Sequence, residues 1–147
     1  MIEIRTSPSG ELHVPQVDAV SRPFFAALAR GEFVLQWIPR SGFQHYPRPA
    51  ALYAPDNQPE WRSAQGVGVV HTFTIIRQHG IPYFRDRTPY VVAVIELPEG
   101  VRIMGNLTDV EVDTVRIGMA VQIYAVVVAE DLAVPFWKPQ IRSLGPL

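Results

Sequence analysis

From Gln65 onward, five stretches of alternating or mostly apolar residues are separated by turn signals, and this order of strands constrains the fold more than any other feature. Gly66 and Gly68 lie in the first stretch, where glycine permits the coiling or bulging of a long barrel strand. Three strands in a meander, a polar connection that ends at Gly118 and two further strands follow the order of a five-stranded OB barrel. The predicted strands are GVGVVHTFTIIRQ, YVVAVIEL, VRIMGNL, AVQIYAVVVAEDL and AVPFWKPQI.

The first of these strands is predicted to present two faces, because successive side chains of a strand point to opposite sides. Simple alternation assigns every second side chain to one face. The first set is Val67, Val69, His71, Phe73 and Ile75, and the second set is Val70, Thr72, Thr74 and Ile76.

The part of the chain before these strands has a different organisation. The segment SRPFFAALARG predicts a short helix, with Ser21 as its N-cap, a proline in its first turn and Gly31 at its end. The strand GEFVLQWI and a proline-rich stretch at 47–59 with little regular structure form a ribbon after it. The predicted domains are an extended arm at 1–20, the helix and ribbon at 21–62, and an OB domain at 63–147.

Charge and composition exclude several classes of function. The 147-residue chain has a net charge of −1, so no bulk charge attracts it to nucleic acid or to an anionic membrane. It contains no cysteine, and therefore has no disulfide, no thiol nucleophile and no thiolate metal ligand. The amino terminus has no apolar signal core and no run approaches membrane-spanning length, which predicts a cytoplasmic protein.

An ordered set of short motifs resembles the thiolase-associated family that combines a rubredoxin-like zinc ribbon with an OB fold. No single motif is specific, but their order extends over most of the chain. Gln44, Tyr46, Pro47, Arg48 and Pro49 keep the ribbon core of this family. The other motifs are PFF, GEFVLQ, Trp61, GVGVVHTFT, PYVVAVIELPEG, VRIMGNL, RIGMAV and PFW. The resemblance implies a mainly β fold, with a helix and a ribbon before a five-stranded OB barrel.

The resemblance also implies a zinc ribbon, whose ligands this sequence cannot supply. Family members carry two C-x-x-C pairs, and none of the side chains at the corresponding positions here offers a thiolate to zinc. We therefore expect a degenerate ribbon that folds without a metal cofactor. The second pair falls on Ala51 and Ala54, and the first falls either near Ile38 and Ser41 or, with one residue deleted, on Trp37 and Arg40.

The resemblance further implies a function. Family members are similar to accessory chains that assemble with thiolase-superfamily enzymes acting on acyl-CoA thioesters, by acyl transfer or retro-aldol cleavage, including acyl-CoA side chains of sterols. This implies a non-catalytic subunit of a hetero-oligomer whose partner is a thiolase-like protein, with coenzyme A thioester brought by that partner. Two adjacent phenylalanines cannot share one narrow helical stripe, so one of them is expected to join a partner surface. The predicted partner-interface residues are Phe24, Phe25, Leu28, Tyr46, Arg48 and Tyr53.

Independent catalysis is not expected. A hydroxyl nucleophile needs a neighbouring base and an orienting carboxylate, and the chain has no G-x-S-x-G element. Nothing in the sequence pairs a serine with one of the scattered histidines, His13, His45, His71 and His79. The ribbon's possible non-thiolate metal ligands, His45, Asp56 and Glu60, do not have the spacing of a metal site and are expected to be solvated loop residues.

A ligand site on the barrel is an alternative to the subunit function. OB barrels bind extended ligands on one face and its flanking loops. Arginine beside aromatic rings suits the adenine and phosphates of an acyl-CoA and would also suit stacked single-stranded bases, although the net charge disfavours the latter. The alternatives are therefore a stand-alone acyl-CoA or nucleotide-binding module and, after it, a single-stranded nucleic-acid binder. The candidate ligand-binding residues are His71, Phe73, Tyr83, Arg85, Arg87, Tyr90, Met104 and Asn106.

Overall fold

The computed structural model describes residues 1–7 and 14–140 of the chain. Nine strands and two helices lie in this part, together with short 3-10 turns, and none of its helices is long and apolar enough to cross a membrane. The elements are β1 (Glu3–Thr6), α1 (Arg22–Ala29), β2 (Val34–Ile38), β3 (Gly42–Gln44), β4 (Glu60–Ser63), β5 (Val67–Ile76), α2 (Pro82–Arg85), β6 (Tyr90–Glu96), β7 (Arg102–Leu107), β8 (Ala120–Ala129) and β9 (Leu132–Pro139).

Strands β5 to β9 form the predicted OB barrel. Their order around the barrel is β5-β6-β7-β9-β8, and β8 pairs with β5 to close it. All neighbours are antiparallel except β7 and β9, which run parallel. The mainly β fold predicted from the sequence is confirmed, with a helix before the barrel. The ribbon forms a separate three-stranded sheet in the order β3-β2-β4.

A bulge in β5 overturns the predicted assignment of side chains to its two faces. The pairing of β5 with β6 shifts register between Val70 and Thr72, so one extra residue changes which side chains point inward. Val70 is buried before the bulge, while Phe73 and Ile75 pack against the core after it. His71 lies within the bulge and is exposed. The prediction that His71 and Phe73 share a face is therefore wrong, because it assumed an uninterrupted alternation.

The first residues of the predicted arm form a sixth strand on the barrel. Strand β1 runs parallel to β8, with Glu3 opposite Tyr124. Arg5 donates to both carboxylate oxygens of Asp109, at 3.2 and 2.6 Å, and its guanidinium lies 3.9 Å from the centre of the Tyr124 ring. The Arg5 side chain lowers the pKa of Asp109 below its ordinary value. Residues 8–13 of the predicted arm, with His13, and Ile141 of the predicted fifth strand lie outside the described residues.

Helix α1 packs into the same core as the barrel. It begins after Ser21 and is followed by Gly31, whose φ of +79° is a conformation that favours glycine. Leu28 is fully buried and belongs to one core cluster with Phe33 of the ribbon entrance and Trp137 of β9. The prediction of Leu28 as a partner-interface residue is therefore wrong, since its side chain is inaccessible to another protein.

Close packing inside the barrel predicts a sharp difference between two glycine substitutions. A Cβ on Gly68 would lie 2.6 Å from Ile95 Cγ2 and 2.7 Å from the Glu96 carbonyl oxygen, whereas a Cβ on Gly80 would meet nothing within 4 Å. We expect Gly68→Ala to destabilise the fold by about 1–3 kcal/mol and Gly80→Ala to be nearly neutral. Thermal unfolding of both variants measures this, and equal melting temperatures would contradict the packing described for β5.

Candidate functional site

A groove of about 510 Å³ lies between the short helix α2 and strands β6, β7 and β9. Four of the eight predicted ligand residues line it, namely Tyr83, Arg87, Tyr90 and Asn106. The first two come from the loop between β5 and β6, and the other two from neighbouring strands of the barrel. The remaining lining residues are Pro15, Phe84, Val91, Leu107, Thr108, Val134, Pro135 and Phe136.

The other four predicted ligand residues do not line the groove. His71 is held in the β5 bulge, and Phe73 turns into the barrel core. Met104 is 61% exposed in β7, paired with Val94 and apart from the lining. Arg85 is exposed at the end of α2. The structure therefore brings together only the part of the predicted site that surrounds α2.

The polar groups of the groove already have partners within the chain. The Arg87 guanidinium lies 3.7 Å from the centre of the Tyr83 ring and donates to the Tyr83 carbonyl oxygen at 2.9 Å. The Asn106 amide donates to the Val91 carbonyl oxygen at 3.3 Å. The Thr108 hydroxyl is 2.6 Å from the hydroxyl of Tyr124, whose pKa is raised chiefly by burial, so that this phenol stays neutral. The groove therefore offers mainly apolar surface to a ligand.

Sequence reasoning missed the wall of the groove that β9 contributes. Trp137 points into the barrel and is fully buried, so the alternation of a strand turns Phe136 and Val134 outward. That alternation was a signal available in the sequence. Pro15 could not have been found in this way, because it lies more than 65 residues from its neighbours at α2, without any motif of its own.

The ribbon is held by side-chain amides. Gln36 of β2 is buried, and its amide both accepts from the Arg48 N–H at 2.6 Å and donates to the Arg48 carbonyl oxygen at 3.1 Å. Gln58 donates to three carbonyl oxygens, those of Ala50, Tyr53 and Ala54, at 2.7–3.2 Å. These bonds fix the proline-rich loop in place of regular backbone pairing.

The positions that correspond to zinc ligands do not fit a zinc ion. Ile38 is fully buried, and the backbone N–H of Arg40 donates to the Asn57 side chain at 2.9 Å. The Arg40 guanidinium pairs with Asp56 at 2.5 Å, which joins the two loops of the ribbon. Within residues 1–7 and 14–140, no group of three or more His, Cys, Asp or Glu side chains is placed to hold a metal ion. The side chain of Ile38 and the backbone and guanidinium of Arg40 are therefore engaged in packing and hydrogen bonds within the ribbon.

His45 follows β3 in the ribbon and is half-buried. Its ring centre is 4.3 Å from that of Tyr46, and its Nδ1 is buried without a hydrogen-bond partner in the described part of the chain. Burial lowers the pKa of His45 below its ordinary value of 6.5, because the charged form would lose hydration. The neutral imidazole is thus the form that suits the folded ribbon.

The predicted partner-interface residues differ in how much they contact the rest of the chain and in how exposed they are. Phe24 packs against the core and meets the Phe33 ring edge-to-face at 6.3 Å. Phe25 contacts Phe24 at 5.2 Å and is half-buried without belonging to the core cluster. On the ribbon, Tyr46 is 68% exposed, Arg48 is exposed and Tyr53 is half-buried. Leu52, which the sequence analysis did not single out, is also 68% exposed.

The strand order and the groove define the protein class as an OB-fold domain with an appended helix and ribbon. Residues 61–126 match the family described as "ChsH2, C-terminal OB-fold domain". Strands β5 to β7 and most of β8 are therefore similar to the ChsH2 C-terminal OB-fold domains, and the family resemblance predicted from the ordered motifs is confirmed.

Several known proteins are similar to this chain over part of their length. The 3-oxo-4,17-pregnadiene-20-carboxyl-CoA hydratase alpha subunit of Mycobacterium tuberculosis is 30% identical, with 79% of this chain and 39% of the relative covered. A DUF35 domain-containing scaffold protein of Methanocaldococcus jannaschii is 43% identical over 58 residues, which are 39% of this chain and 40% of the relative. A solved structure titled "Ltp2-ChsH2(DUF35) aldolase" has a TM-score of 0.73 and 26% identity, covering 86% of this chain and 99% of that one. The match thus spans about two fifths of the length of these two curated relatives.

The side-chain amide hydrogen bonds that hold the ribbon predict that its stability does not depend on a metal ion. We expect a chelator to leave the melting temperature unchanged, since no zinc binding energy contributes to folding, and elemental analysis to find no stoichiometric zinc. Gln58→Glu keeps the size of the side chain but removes its N–H donors, and should cost about 1 kcal/mol or more. Gln78→Glu, at an exposed glutamine without such bonds among the described residues, is the matched control. About one zinc per chain would overturn this expectation.

The buried Nδ1 of His45 predicts a loss of stability in acid. Because the folded-state pKa lies below the unfolded value of 6.5, the unfolded chain binds the proton more readily. The His45 contribution is therefore complete above pH 6.5 and is lost progressively as the pH falls below it. Denaturant unfolding at a series of pH values should show this decline, and His45→Gln should reduce it. His71→Gln, at an exposed histidine, should leave the decline as it is; the same profile in both variants would contradict the assignment.

Proposed function

We propose that this chain is a non-catalytic accessory subunit of a thiolase-superfamily enzyme that acts on acyl-CoA thioesters. The observation that carries the proposal is the structural similarity over 86% of the chain to the protein titled "Ltp2-ChsH2(DUF35) aldolase", a title that joins a DUF35 component to an enzyme. The word "scaffold" in the name of the archaeal relative supports a role in assembly. The hydratase relative is also named as a subunit.

The proposal also includes the reaction that the partner catalyses. The names of the relatives refer to an aldolase and to the hydratase of a pregnadiene carboxyl-CoA. The aldolase name supports retro-aldol cleavage, and the hydratase name supports a lipid or sterol acyl-CoA as the substrate, with the reaction performed by groups of the partner. Acyl transfer is the other reaction that we propose for the partner. In the described part of this chain, the pairing of the polar groups in the groove supports the same division, because an engaged Arg87 or Thr108 is poorly placed to act on a substrate.

The surface proposed for the partner combines α1 with the ribbon. Phe25, Tyr46 and Leu52 present large apolar groups that the core cluster does not take up. Aromatic side chains of this kind dominate the energetics of protein interfaces. Arg48 stands beside them with its backbone fixed by Gln36, so that its exposed side chain starts from an ordered position.

A stand-alone module that binds acyl-CoA is the second candidate, and the groove is the observation that favours it. The two candidates differ in what the isolated chain does. A subunit needs its partner before the coenzyme A part of the thioester is bound, whereas a module binds free coenzyme A alone. Calorimetry of the isolated chain with free coenzyme A therefore separates them.

The two phenylalanines of α1 provide the test of the subunit proposal. Phe25→Ala should weaken assembly with a co-expressed thiolase-like protein of the same organism by about 2 kcal/mol and leave the isolated fold largely intact. Phe24→Ala should instead lower stability by about 2 kcal/mol, less than for a fully buried ring. Size-exclusion chromatography and thermal unfolding measure the two effects.

Met104→Ala is the matched control for this experiment, because it removes an exposed apolar side chain from the barrel and not from α1 or the ribbon. It should change neither assembly nor stability appreciably. If this chain elutes separately from every thiolase-like protein that is co-expressed with it, the subunit proposal is wrong. Assembly that is insensitive to Phe25→Ala and to Tyr46→Ala would move the interface elsewhere.

A further inference from the structure

An acyl-CoA has a hydrocarbon part and a nucleotide part, and the residues that line the groove beside α2 do not suit both equally. We infer that it binds the hydrocarbon part of the thioester and not the nucleotide part. The identification of this hydrocarbon as an acyl chain rests on the proposed function. The occupant is thus an apolar acyl group, with its polar end directed to the solvent or to the partner.

The walls of the groove are apolar on both sides. Val134, Pro135 and Phe136 of β9 form one side, and Phe84 and Tyr90 stand on the other. The Phe84 ring packs against Tyr83 edge-to-face at 4.9 Å and lies 6.2 Å from Tyr90, so these rings support one another in fixed positions. A concave apolar site of roughly 300–1,000 Å³ is the usual form of a small-molecule site, and the groove of about 510 Å³ falls in this range.

The polar groups of the groove argue against a nucleotide. Phosphates are bound by charged donors, most strongly by an arginine that can offer both of its parallel N–H groups. Arg87 already donates one N–H to the Tyr83 carbonyl oxygen and stacks on the Tyr83 ring, so contacts within the chain set the position of its guanidinium. Asn106 and Thr108 are likewise bonded within the chain. These two bonds are part-buried, and displacing them would leave polar groups without a partner, which costs free energy.

A protein segment is the other possible occupant of an apolar groove, and the lining disfavours it. An extended peptide brings backbone N–H and C=O groups that need partners once water is excluded. The three polar side chains discussed above are already bonded within the chain, and Pro135 has no N–H to donate on the wall from β9. A saturated chain has no polar groups to satisfy and is therefore the occupant that this lining suits.

The experiment is calorimetric titration of the full chain with free coenzyme A and with butyryl-, hexanoyl- and octanoyl-CoA. We expect affinity to rise roughly two- to fourfold for each added methylene, because each buried CH₂ adds transfer free energy, and free coenzyme A to show no saturable binding. Octanoate should compete with octanoyl-CoA, which shows that the hydrocarbon and not the nucleotide is recognised.

Two substitutions in the wall, with one control, test the location. Val134→Trp fills the groove and should abolish octanoyl-CoA binding, and Val134→Ser should weaken it several-fold without added bulk. Val94→Trp, at a half-buried valine of β6 outside the lining, should leave it unchanged. Free coenzyme A binding as tightly as octanoyl-CoA, or affinity independent of chain length, would overturn the inference.

The same variants separate this inference from the subunit proposal. If the complex forms but no chain-length dependence is found, only the inference fails. If octanoyl-CoA binds as expected and no partner is found, only the subunit proposal fails. If Val134→Trp prevents assembly and the wild-type chain binds no acyl-CoA, the groove holds a side chain of the partner and the inference is wrong.

Discussion

Three aromatic rings join the helix, the ribbon and the barrel into one core. Trp137 of β9 meets Phe33 edge-to-face at 6.2 Å, and Phe33 meets Phe24 of α1 at 6.3 Å. Each such contact adds about 0.5–1.5 kcal/mol to the burial of the rings themselves. Trp137 fits inside the barrel because Gly105 stands opposite, where a Cβ would lie only 2.8 Å from the indole. The barrel and the ribbon therefore share one core, because Trp137 inside the barrel packs against Phe33 at the start of the ribbon.

This shared core gives the ribbon a source of folding free energy that does not depend on a metal. A small metal-bound module obtains much of its folding free energy from its metal. Here β2 supplies Val34, Leu35 and Ile38 as buried side chains, and Leu35 belongs to the same cluster as the barrel core. The loops that have no such burial are fixed by Gln36 and Gln58, whose amides bond the backbone of the proline-rich segment. Packing sets where the ribbon lies, and the amides set the shape of its loops.

The positions of the main strands and of α1 could be predicted from the sequence, because alternation, turn residues and caps are local signals. Three features could not. The β5 bulge turned His71 out and Phe73 in, since register depends on the neighbouring strand and not on the residues of β5 alone. Strand β1 pairs in parallel with β8, about 120 residues away along the chain, and an Arg5–Asp109 ion pair accompanies this pairing. The groove lost half of its predicted residues and gained a wall from β9, because its shape depends on how α2 and the barrel pack.

Because most of the described basic side chains are paired with carboxylates, we expect this chain to recognise its ligands and partners through apolar surfaces. Within the described residues, most of the basic side chains form ion pairs with carboxylates, namely Arg5, Arg30, Arg40, Arg62, Arg77, Arg102 and Lys138. Exposed pairs of this kind contribute little to stability, but they neutralise the positive charge that a phosphate backbone or an anionic surface would need. Two apolar surfaces that offer specific contact are the groove beside α2 and the apolar groups of α1 and the ribbon. These two surfaces have no residue in common, so a partner on one leaves the residues of the other available to a ligand.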